Sequence, residues 1–404
     1  MNAEVAYGYR ERKAQAQAMG EVAHRLHCLQ HLKLKTVIKE SHCRPVRQLL
    51  FNAVDASCSN LFATVGGDQA TVYDDMHMGD YIAVVLNFVN ARTSHAAGQG
   101  LQALAWLSAE ELSGHPNGDA FLAVAGSAGE IGVISLVEAR VVSLITGHPG
   151  AVVSLSAVPG RPGMLTSLGR DGTVRFWDVV TQQRLATVPA EATAMAVSPG
   201  GDVLATGGRK GSLHLWQLQD NLDADPARSH LQASILVEDA EELASDSGAQ
   251  HWEAVDSLRF LAGGRLASKS LDGRMLVWDT AQRLQLASWK VPGCSARGGR
   301  GEAGGFAATS SGGHICAGNS SGDVRVYDTH TGKQVALVSP IKVTGPVLAC
   351  ALSDDCRHLL AAVGNGYVFR YEYRKPKPSA PAVADADALD DDKDDAMSED
   401  STEQ

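Results

Sequence analysis

The sequence predicts an all-β fold, a ring of seven small antiparallel sheets of the β-propeller type. Two observations predict it. A short strand ending in an aromatic residue recurs along the chain, and a companion strand with apolar residues at every second position precedes most copies. Two such strands joined by a glycine-containing turn are a hairpin signal. The recurrence is roughly every 40 residues, with longer intervals where loops intervene, which is typical of a propeller.

Seven copies of this strand can be found in chain order. The clearest copy, GRDGTVRFWD at 169–178, has an Asp-Gly turn, alternating apolar residues and then Trp177 and Asp178. We expect the aromatic residue to fill the space between neighbouring sheets, and the acid after it to lie on a turn, near backbone donors. Seven radial units leave few free sheet edges. The aromatic position holds, in order, Tyr73, Ile134, Trp177, Trp216, Trp278, Tyr327 and Tyr371.

The composition divides the chain into three predicted regions. Residues 1–33 form a helical leader, 34–373 the propeller and 374–404 a disordered acidic tail. The propeller carries an acidic insert at 219–250 and a Gly/Arg loop at 292–305. Because 385–404 hold ten acids and one lysine, the net charge of −11 leaves only about −2 for the rest. The tail is therefore a solvated arm, or alternatively a segment that contacts histones or is phosphorylated.

Signals of catalysis, metal binding and membrane insertion are weak. The chain has no long apolar run, no signal-peptide core, no phosphate-binding loop, no H-E-x-x-H motif and no CxxC pair among its seven cysteines. We predict a non-enzyme without cofactor or metal, which binds neither membranes nor nucleic acid directly. Two alternatives stay open: a metal site at His24, His27 and His31 beside Cys28, and RNA contact by the Gly/Arg loop.

Residues 147–178 resemble a WD repeat. Gly147-His148 precedes a strand, Asp171 sits in the tight turn, and Trp177-Asp178 closes the unit. In that family the equivalent histidine, aspartate and tryptophan form an internal hydrogen-bonded network, so the resemblance implies a structural network of His148, Asp171 and Trp177. A hydrolase triad with Ser167 is the competing interpretation. We favour the structural role because no G-x-S-x-G elbow is present.

The irregular segments resemble the Extra sex combs family, known in animals as embryonic ectoderm development protein and in plants as fertilization-independent endosperm. The resemblance begins with Phe51-Asn52, the strand FATVGG and the ending TVYD at 71–74, and continues in order to the last blade. Its most discriminating piece is VDSLRFLAGGRLASKS at 255–270, because WD repeats in general do not require Lys269. It implies a scaffold subunit of Polycomb repressive complex 2.

In that family one propeller face binds a helix of the Enhancer-of-zeste methyltransferase, and the other encloses a trimethylated histone lysine in an aromatic cage. The resemblance therefore implies a nuclear protein whose partners are this SET-domain enzyme, other Polycomb subunits and the histone H3 tail. The cage positions here fall on non-aromatic residues: Arg47, Gln102, Glu302 and Ala303. Either the alignment slips in these loops or methyl-lysine reading is lost, with Trp289, Tyr7 or Tyr9 as substitute rings. We favour loss, because cation–π attraction needs rings.

Two other functions fit a propeller of this kind. One is a chromatin propeller outside Polycomb, such as the WD domain of the leucine-rich-repeat and WD-repeat protein that accompanies the origin recognition complex. The other is a general protein-interaction adaptor, for example in a ubiquitin ligase. The partners recovered with the protein distinguish these hypotheses.

Overall fold

The computed structural model describes residues 20–78, 81–90, 100–113, 115, 118–220, 235–237, 241–243, 251–294, 304–339 and 345–375. The described residues from 20 to 374 belong to one compact unit. Glu302, Ala303, most of the two inserts and nearly all of the acidic tail lie outside the described residues, as do Tyr7 and Tyr9.

The predicted seven-bladed propeller is confirmed: the strands form seven antiparallel sheets, six of four strands and one of five. The blades follow one another along the chain, and in each of the first six the strand that comes first is innermost. The bounds of blades 1 to 3 are β2 Val46–Phe51, β3 Leu61–Gly66, β4 Gln69–His77 and β5 Tyr81–Val89; β6 Leu101–Leu107, β7 Phe121–Gly126, β8 Ile131–Ser135 and β9 Arg140–Ile145; and β10 Val152–Ala157, β11 Met164–Gly169, β12 Thr173–Asp178 and β13 Gln183–Pro189.

The remaining blades have the same order. Blade 4 has an extra short strand that pairs with its third strand. Blade 4 consists of β14 Ala192–Val197, β15 Val203–Gly208, β16 Leu213–Asp220, β17 Ile235–Val237 and β18 Glu241–Glu242, and blade 5 of β19 Val255–Leu261, β20 Arg265–Ser270, β21 Arg274–Asp279 and β22 Leu284–Lys290. Blade 6 consists of β23 Phe306–Ala308, β24 His314–Gly318, β25 Val324–Asp328 and β26 Gln334–Val338. Blade 7 consists of β27 Val347–Leu352, β28 His358–Val363, β29 Tyr367–Tyr373 and, as its outer strand, β1 Leu32–Lys39.

The ring closes through pairing of the two ends of the propeller. The inner strands contact one another in the cycle β2, β6, β10, β14, β19, β23, β27 and back to β2. β1 pairs antiparallel with β29, with Leu32 opposite Tyr373 and Lys39 opposite Tyr367. Blade 7 is therefore complete only when the first strand of the propeller, β1, has paired with the last, β29.

The seven aromatic-position residues behave alike. Each packs into a cluster with the preceding blade: Trp177 with blade 2, Trp278 with blade 4 and Tyr73 with blade 7. Ile134, Trp216, Tyr327 and Tyr371 do the same toward blades 1, 3, 5 and 6. The core thus lies between blades, as expected from the sequence.

The acid that follows the aromatic residue caps the next turn. Asp178 accepts hydrogen bonds from the backbone N–H of Val180 at 2.9 Å and of Thr181 at 3.3 Å. Asp279 accepts two such bonds in blade 5, and Asp328 does so in blade 6. Because these N–H groups have no strand partner, the carboxylate fixes the turn between the third and fourth strands.

Among the described residues, one helix precedes the ring. The helix α1, Glu21–Gln30, follows Gly20 and buries Cys28 and Leu29 against blades 6 and 7. The helix ends at Gln30, and β1 begins at Leu32. The first strand of the propeller thus begins two residues before the predicted start at residue 34. Among the described residues, no helix is long and apolar enough to span a bilayer. Two 3₁₀ turns, Ala56–Cys58 and Glu110–Leu112, lie in loops.

Candidate functional site

Blade 3 contains a continuous polar network. The Trp177 indole N–H donates to Ser167 Oγ at 2.7 Å, and Ser167 Oγ lies 2.8 Å from His148 Nε2. His148 Nδ1 lies 3.0 Å from Asp171 Oδ2, which also accepts a hydrogen bond from Arg175 at 3.1 Å. Since the Trp177 N–H donates to the serine oxygen, the Ser167 hydroxyl is left to donate to His148 Nε2. The proton of the neutral ring is then on Nδ1, which donates to Asp171.

The electrostatics of this network fit a structural role better than a hydrolase triad. Burial lowers the pKa of His148, against the opposing effect of Asp171, so the ring is neutral near pH 7. Burial would raise the pKa of Asp171, but hydrogen bonds from His148 and Thr173 outweigh it and lower that pKa. Ser167 is fully buried, and its oxygen is engaged on both sides. A buried serine in this state has no access to a substrate.

Blade 5 contains a partial copy that the sequence analysis missed. His251 Nε2 lies 2.7 Å from Ser268 Oγ, which accepts a hydrogen bond from Trp278 at 3.2 Å. The signal was in the spacing: serine, turn aspartate and tryptophan are separated by four and six residues in both blades. Here the turn aspartate, Asp272, instead accepts hydrogen bonds from the Ser270 hydroxyl and from the backbone N–H of Trp252 and Arg274. His251 Nδ1 has no hydrogen-bond partner among the residues that the structure describes.

The predicted cage positions Arg47 and Gln102 are equivalent positions in their blades. Each is the extra residue of a β-bulge at the start of the inner strand, because pairing of Val46 and Gln48 with β3, and of Leu101 and Ala103 with β7, skips the residue between them. The same bulge recurs in four more blades. The bulge rim is defined by these six residues: Arg47, Gln102, Val153, Thr193, Asp256 and Leu348.

None of the six residues of the bulge rim is aromatic. Arg47 is exposed and Gln102 is half-buried. Trp289, a possible substitute ring, lies on β22, the outermost strand of blade 5, and packs against Tyr327 with ring centroids 5.6 Å apart. It therefore cannot line the channel, which the inner strands surround.

The bulge residue of blade 5 explains the most discriminating segment of the sequence. Lys269 Nζ lies 2.5 Å from Asp256 Oδ2 and donates to the carbonyl of Gly304 at 2.8 Å. Both charged side chains are almost completely buried. Burial raises the pKa of Asp256, and Lys269 opposes this effect. Lys269 thus ties β20 to the bulge of β19 and to the start of blade 6.

The opposite ends of the inner strands surround a cavity of about 470 Å³, here called the channel mouth. Its walls come from blades 1, 5, 6 and 7 and combine apolar side chains with one cation, Arg259. Apolar walls with a few polar groups are typical of ligand and peptide sites. The residues that line the channel mouth include Leu50, Phe51, Asp75, Arg259, Phe260, Ala307, Ala308, Ser310, Ala351, Leu352, Ser353, Asp354, Asp355 and His358.

The three histidines of the predicted helical metal site do not converge. His24 is buried and lies 3.6 Å from the sulfur of Cys28, four residues later. His27 and His31 stack with ring centroids 4.3 Å apart, and His31 Nδ1 contacts the His27 carbonyl. Within the described ranges, no group of three or more histidine, cysteine or acidic residues has metal-binding geometry.

Comparison with known proteins identifies the repeat and its relatives. Residues 139–178 and 183–217 match the WD domain, G-beta repeat. The chain is 22% identical to the Polycomb group protein FIE2 of Zea mays and 23% identical to FIE1 of Oryza sativa subsp. japonica, each over 81% of this chain and 88% of the relative. It is 23% identical to the Polycomb protein esc of Drosophila virilis, over 63% of this chain and 60% of that protein.

These relatives agree with the prediction of a non-catalytic WD-repeat protein connected with Polycomb function. The similarity to the two plant proteins extends over most of the ring, well beyond the two matched repeats. The chain is therefore a WD-repeat β-propeller that is similar to the Polycomb group proteins FIE and esc.

Proposed function

We propose that this chain is the non-catalytic scaffold subunit of a Polycomb repressive complex 2-like histone methyltransferase. The observation that carries the proposal is the similarity to Polycomb group proteins along 81% of the chain. In this role the propeller docks an Enhancer-of-zeste-type catalytic subunit in the nucleus. Together with other Polycomb subunits it supports methylation of histone H3 and gene repression.

We assign the docking to the channel mouth. Leu50, Phe51, Phe260 and Leu352 give it apolar walls, and the cavity opens where four inner strands end. Binding energy at protein interfaces concentrates in such desolvated pockets. The bulge rim lies at the other ends of the same strands, so docking does not depend on methyl-lysine reading.

Weak or absent trimethyl-lysine reading is the second part of the proposal. A cage attracts the quaternary ammonium through ring faces, worth about 2 kcal/mol or more when desolvated. The bulge rim offers no ring, and Arg47 places a cation at one of the positions. Contacts of the histone H3 tail with this protein would then rely on other groups.

We also assign a buttressing role to His148, Asp171 and Trp177. Their hydrogen bonds with Ser167 join the loop before blade 3 to its second and third strands.

The proposed division of the chain into a leader, the propeller and an acidic tail remains 1–33, 34–373 and 374–404.

Co-purification tests the scaffold role. The tagged full chain is recovered from nuclear extract in mild salt, and its partners are identified by mass spectrometry. We expect a SET-domain methyltransferase and further Polycomb subunits in the eluate. Recovery of origin-recognition subunits or of ubiquitin-ligase subunits in their place would contradict the proposal and support the corresponding alternative.

A further inference from the structure

Arg259 occupies the wall of the channel mouth. It lies on β19, where it pairs in register with Ala267. Its guanidinium lies within electrostatic range of the sulfur atoms of Cys316 and Cys350, in blades 6 and 7. The residues that blades 6 and 7 place next to it in the wall are small: Ala307, Ala308 and Ala351. The cavity therefore stays open beside the guanidinium of Arg259.

The charge of Arg259 is not compensated inside the ring. Within the part of the chain that the structure describes, its guanidinium makes no hydrogen bond and no ion pair. Burial lowers the pKa of Arg259, and only the neighbouring cysteines oppose this effect. Arg259 is half-buried. A partly desolvated cation without an anionic partner is unfavourable, so an anion that reaches it gains more than it would at an exposed arginine.

The acids of the channel mouth are already engaged elsewhere. Asp75 accepts a hydrogen bond from Arg370 Nε at 2.6 Å and contacts His358 Nδ1, which together join blade 1 to blade 7. Asp354 accepts the backbone N–H of Ser310 at 2.7 Å. Asp355 accepts hydrogen bonds from the Ser353 hydroxyl at 2.6 Å and the Arg357 N–H at 3.1 Å. Among the described residues, none of these three carboxylates forms an ion pair with Arg259, and each has a local structural role.

We propose that Arg259 anchors the docked partner by binding the carboxylate of an aspartate or glutamate side chain that a partner segment inserts into the channel mouth. This inference rests on the proposed docking at the mouth. A guanidinium can donate two parallel N–H bonds to one carboxylate, which gives both strength and orientation. Arg259 therefore fixes the position of the partner's carboxylate, and the apolar wall residues contact the side chains on either side of it.

The charge distribution also limits the sequence of the partner. Asp354 and Asp355 belong to the same mouth, on the loop after β27. Like charges repel, so a segment with several consecutive acids is disfavoured. The fitting partner carries one acid flanked by apolar or basic residues.

The first test measures the anchor without any partner. In the full chain labelled with ¹⁵N-arginine, the side-chain Nε–Hε signal of Arg259 is assigned by its loss in Arg259→Lys. Sodium acetate is titrated at constant ionic strength against sodium chloride. We expect a saturable shift of this signal with acetate. A response no larger than that of Arg184, an exposed arginine on β13, would overturn the proposal, and so would saturation by phosphate alone.

The second test uses a double-mutant cycle with the methyltransferase. The segment seated in the mouth is mapped by cross-linking, and its acid is replaced by the corresponding amide. We expect binding about 10- to 100-fold weaker for this amide or for Arg259→Met, and no further loss when both changes are combined. Arg184→Met is the matched control. Independent effects of the two changes would overturn the inference.

The stability of the variant separates binding from folding. Because Arg259 has no partner in the ring, Arg259→Met should leave the melting temperature unchanged or raise it. A lowered melting temperature would show that the arginine is a structural element and would count against the anchor role. If the wild type recovers no methyltransferase, the proposed function fails, and the acetate titration still decides whether Arg259 takes a carboxylate.

Discussion

Blades 3 and 5 have the same local sequence plan and use their polar residues differently. Both place a histidine against a serine that a tryptophan also binds. In blade 3 the histidine continues to Asp171, and the chain of hydrogen bonds is complete. In blade 5 Asp272 is turned to its own loop, Asp256 and Lys269 form a buried ion pair, and Arg259 lines the channel mouth.

This difference shows that repeats in one ring are not interchangeable. Blade 3 carries Val153 at the bulge, where blade 5 carries Asp256. The polar network of blade 3 therefore stays within this blade and the loop before it, whereas blade 5 also connects to the start of blade 6 through Lys269 and Gly304. The blade with the incomplete histidine network is the one that places an uncompensated cation in the channel mouth.

The largest expected effect concerns the buried ion pair of blade 5. Lys269→Met leaves Asp256 buried without its cation and should lower the free energy of unfolding by about 3–5 kcal/mol. Urea unfolding followed by tryptophan fluorescence measures this change. The control is Asp256→Asn combined with Lys269→Met, which should lose less than the two single variants added together. Equal stability of Lys269→Met and wild type would contradict the role assigned to the pair.

The pH dependence of stability should depend mainly on blade 5. Burial lowers the pKa of His251 to about 4, from an ordinary value of 6.5. Below pH 6.5 the unfolded chain takes up a proton that the folded chain does not, so stability falls as the pH decreases toward 4. The contribution lost is about 3 kcal/mol at most. His251→Gln should flatten this part of a stability–pH curve, and an unchanged slope would refute the assignment.

A smaller effect tests the two histidine networks directly. Double-mutant cycles with alanine at the histidine and asparagine at the turn aspartate should give a coupling of about 1 kcal/mol between His148 and Asp171. The same cycle for His251 and Asp272 should give a coupling near zero, because no hydrogen bond joins them. Similar couplings in both blades would remove the distinction between them.

The smallest expected effect is at the bulge rim. Arg47→Phe, alone or with Ala303→Tyr, should not create binding to a trimethyl-lysine peptide, because a cage needs several rings around the ammonium. Fluorescence titration with a labelled histone H3 peptide measures it, with the unmethylated peptide as control. Measurable methyl-dependent affinity in the wild type would contradict the proposed loss of reading.

Much of the fold could be predicted because its signals are local. The Asp171-Gly172 turn, the alternating strand after it and Trp177 all lie within ten residues, and Ile134 was recognisable in the same position from its surroundings. The site was less predictable. Arg259 and Lys269 belong to one segment of resemblance, yet Lys269 is paired and Arg259 is not. Lys269 is paired because Asp256 lies beside it in the same blade, whereas the acids that other blades place at the channel mouth are engaged away from Arg259.

The sequence by itself determined the blade, because the turn, the strand period and the capping acid act over a few residues. The tertiary structure alone decided how the ring is closed and where charge is left uncompensated. β1 pairs with β29, more than 300 residues further along the chain. His148 is hydrogen-bonded to Asp171, whereas His251 is not hydrogen-bonded to Asp272. Such outcomes depend on distances between groups that are far apart in the sequence, and these distances exist only after tertiary packing has set them.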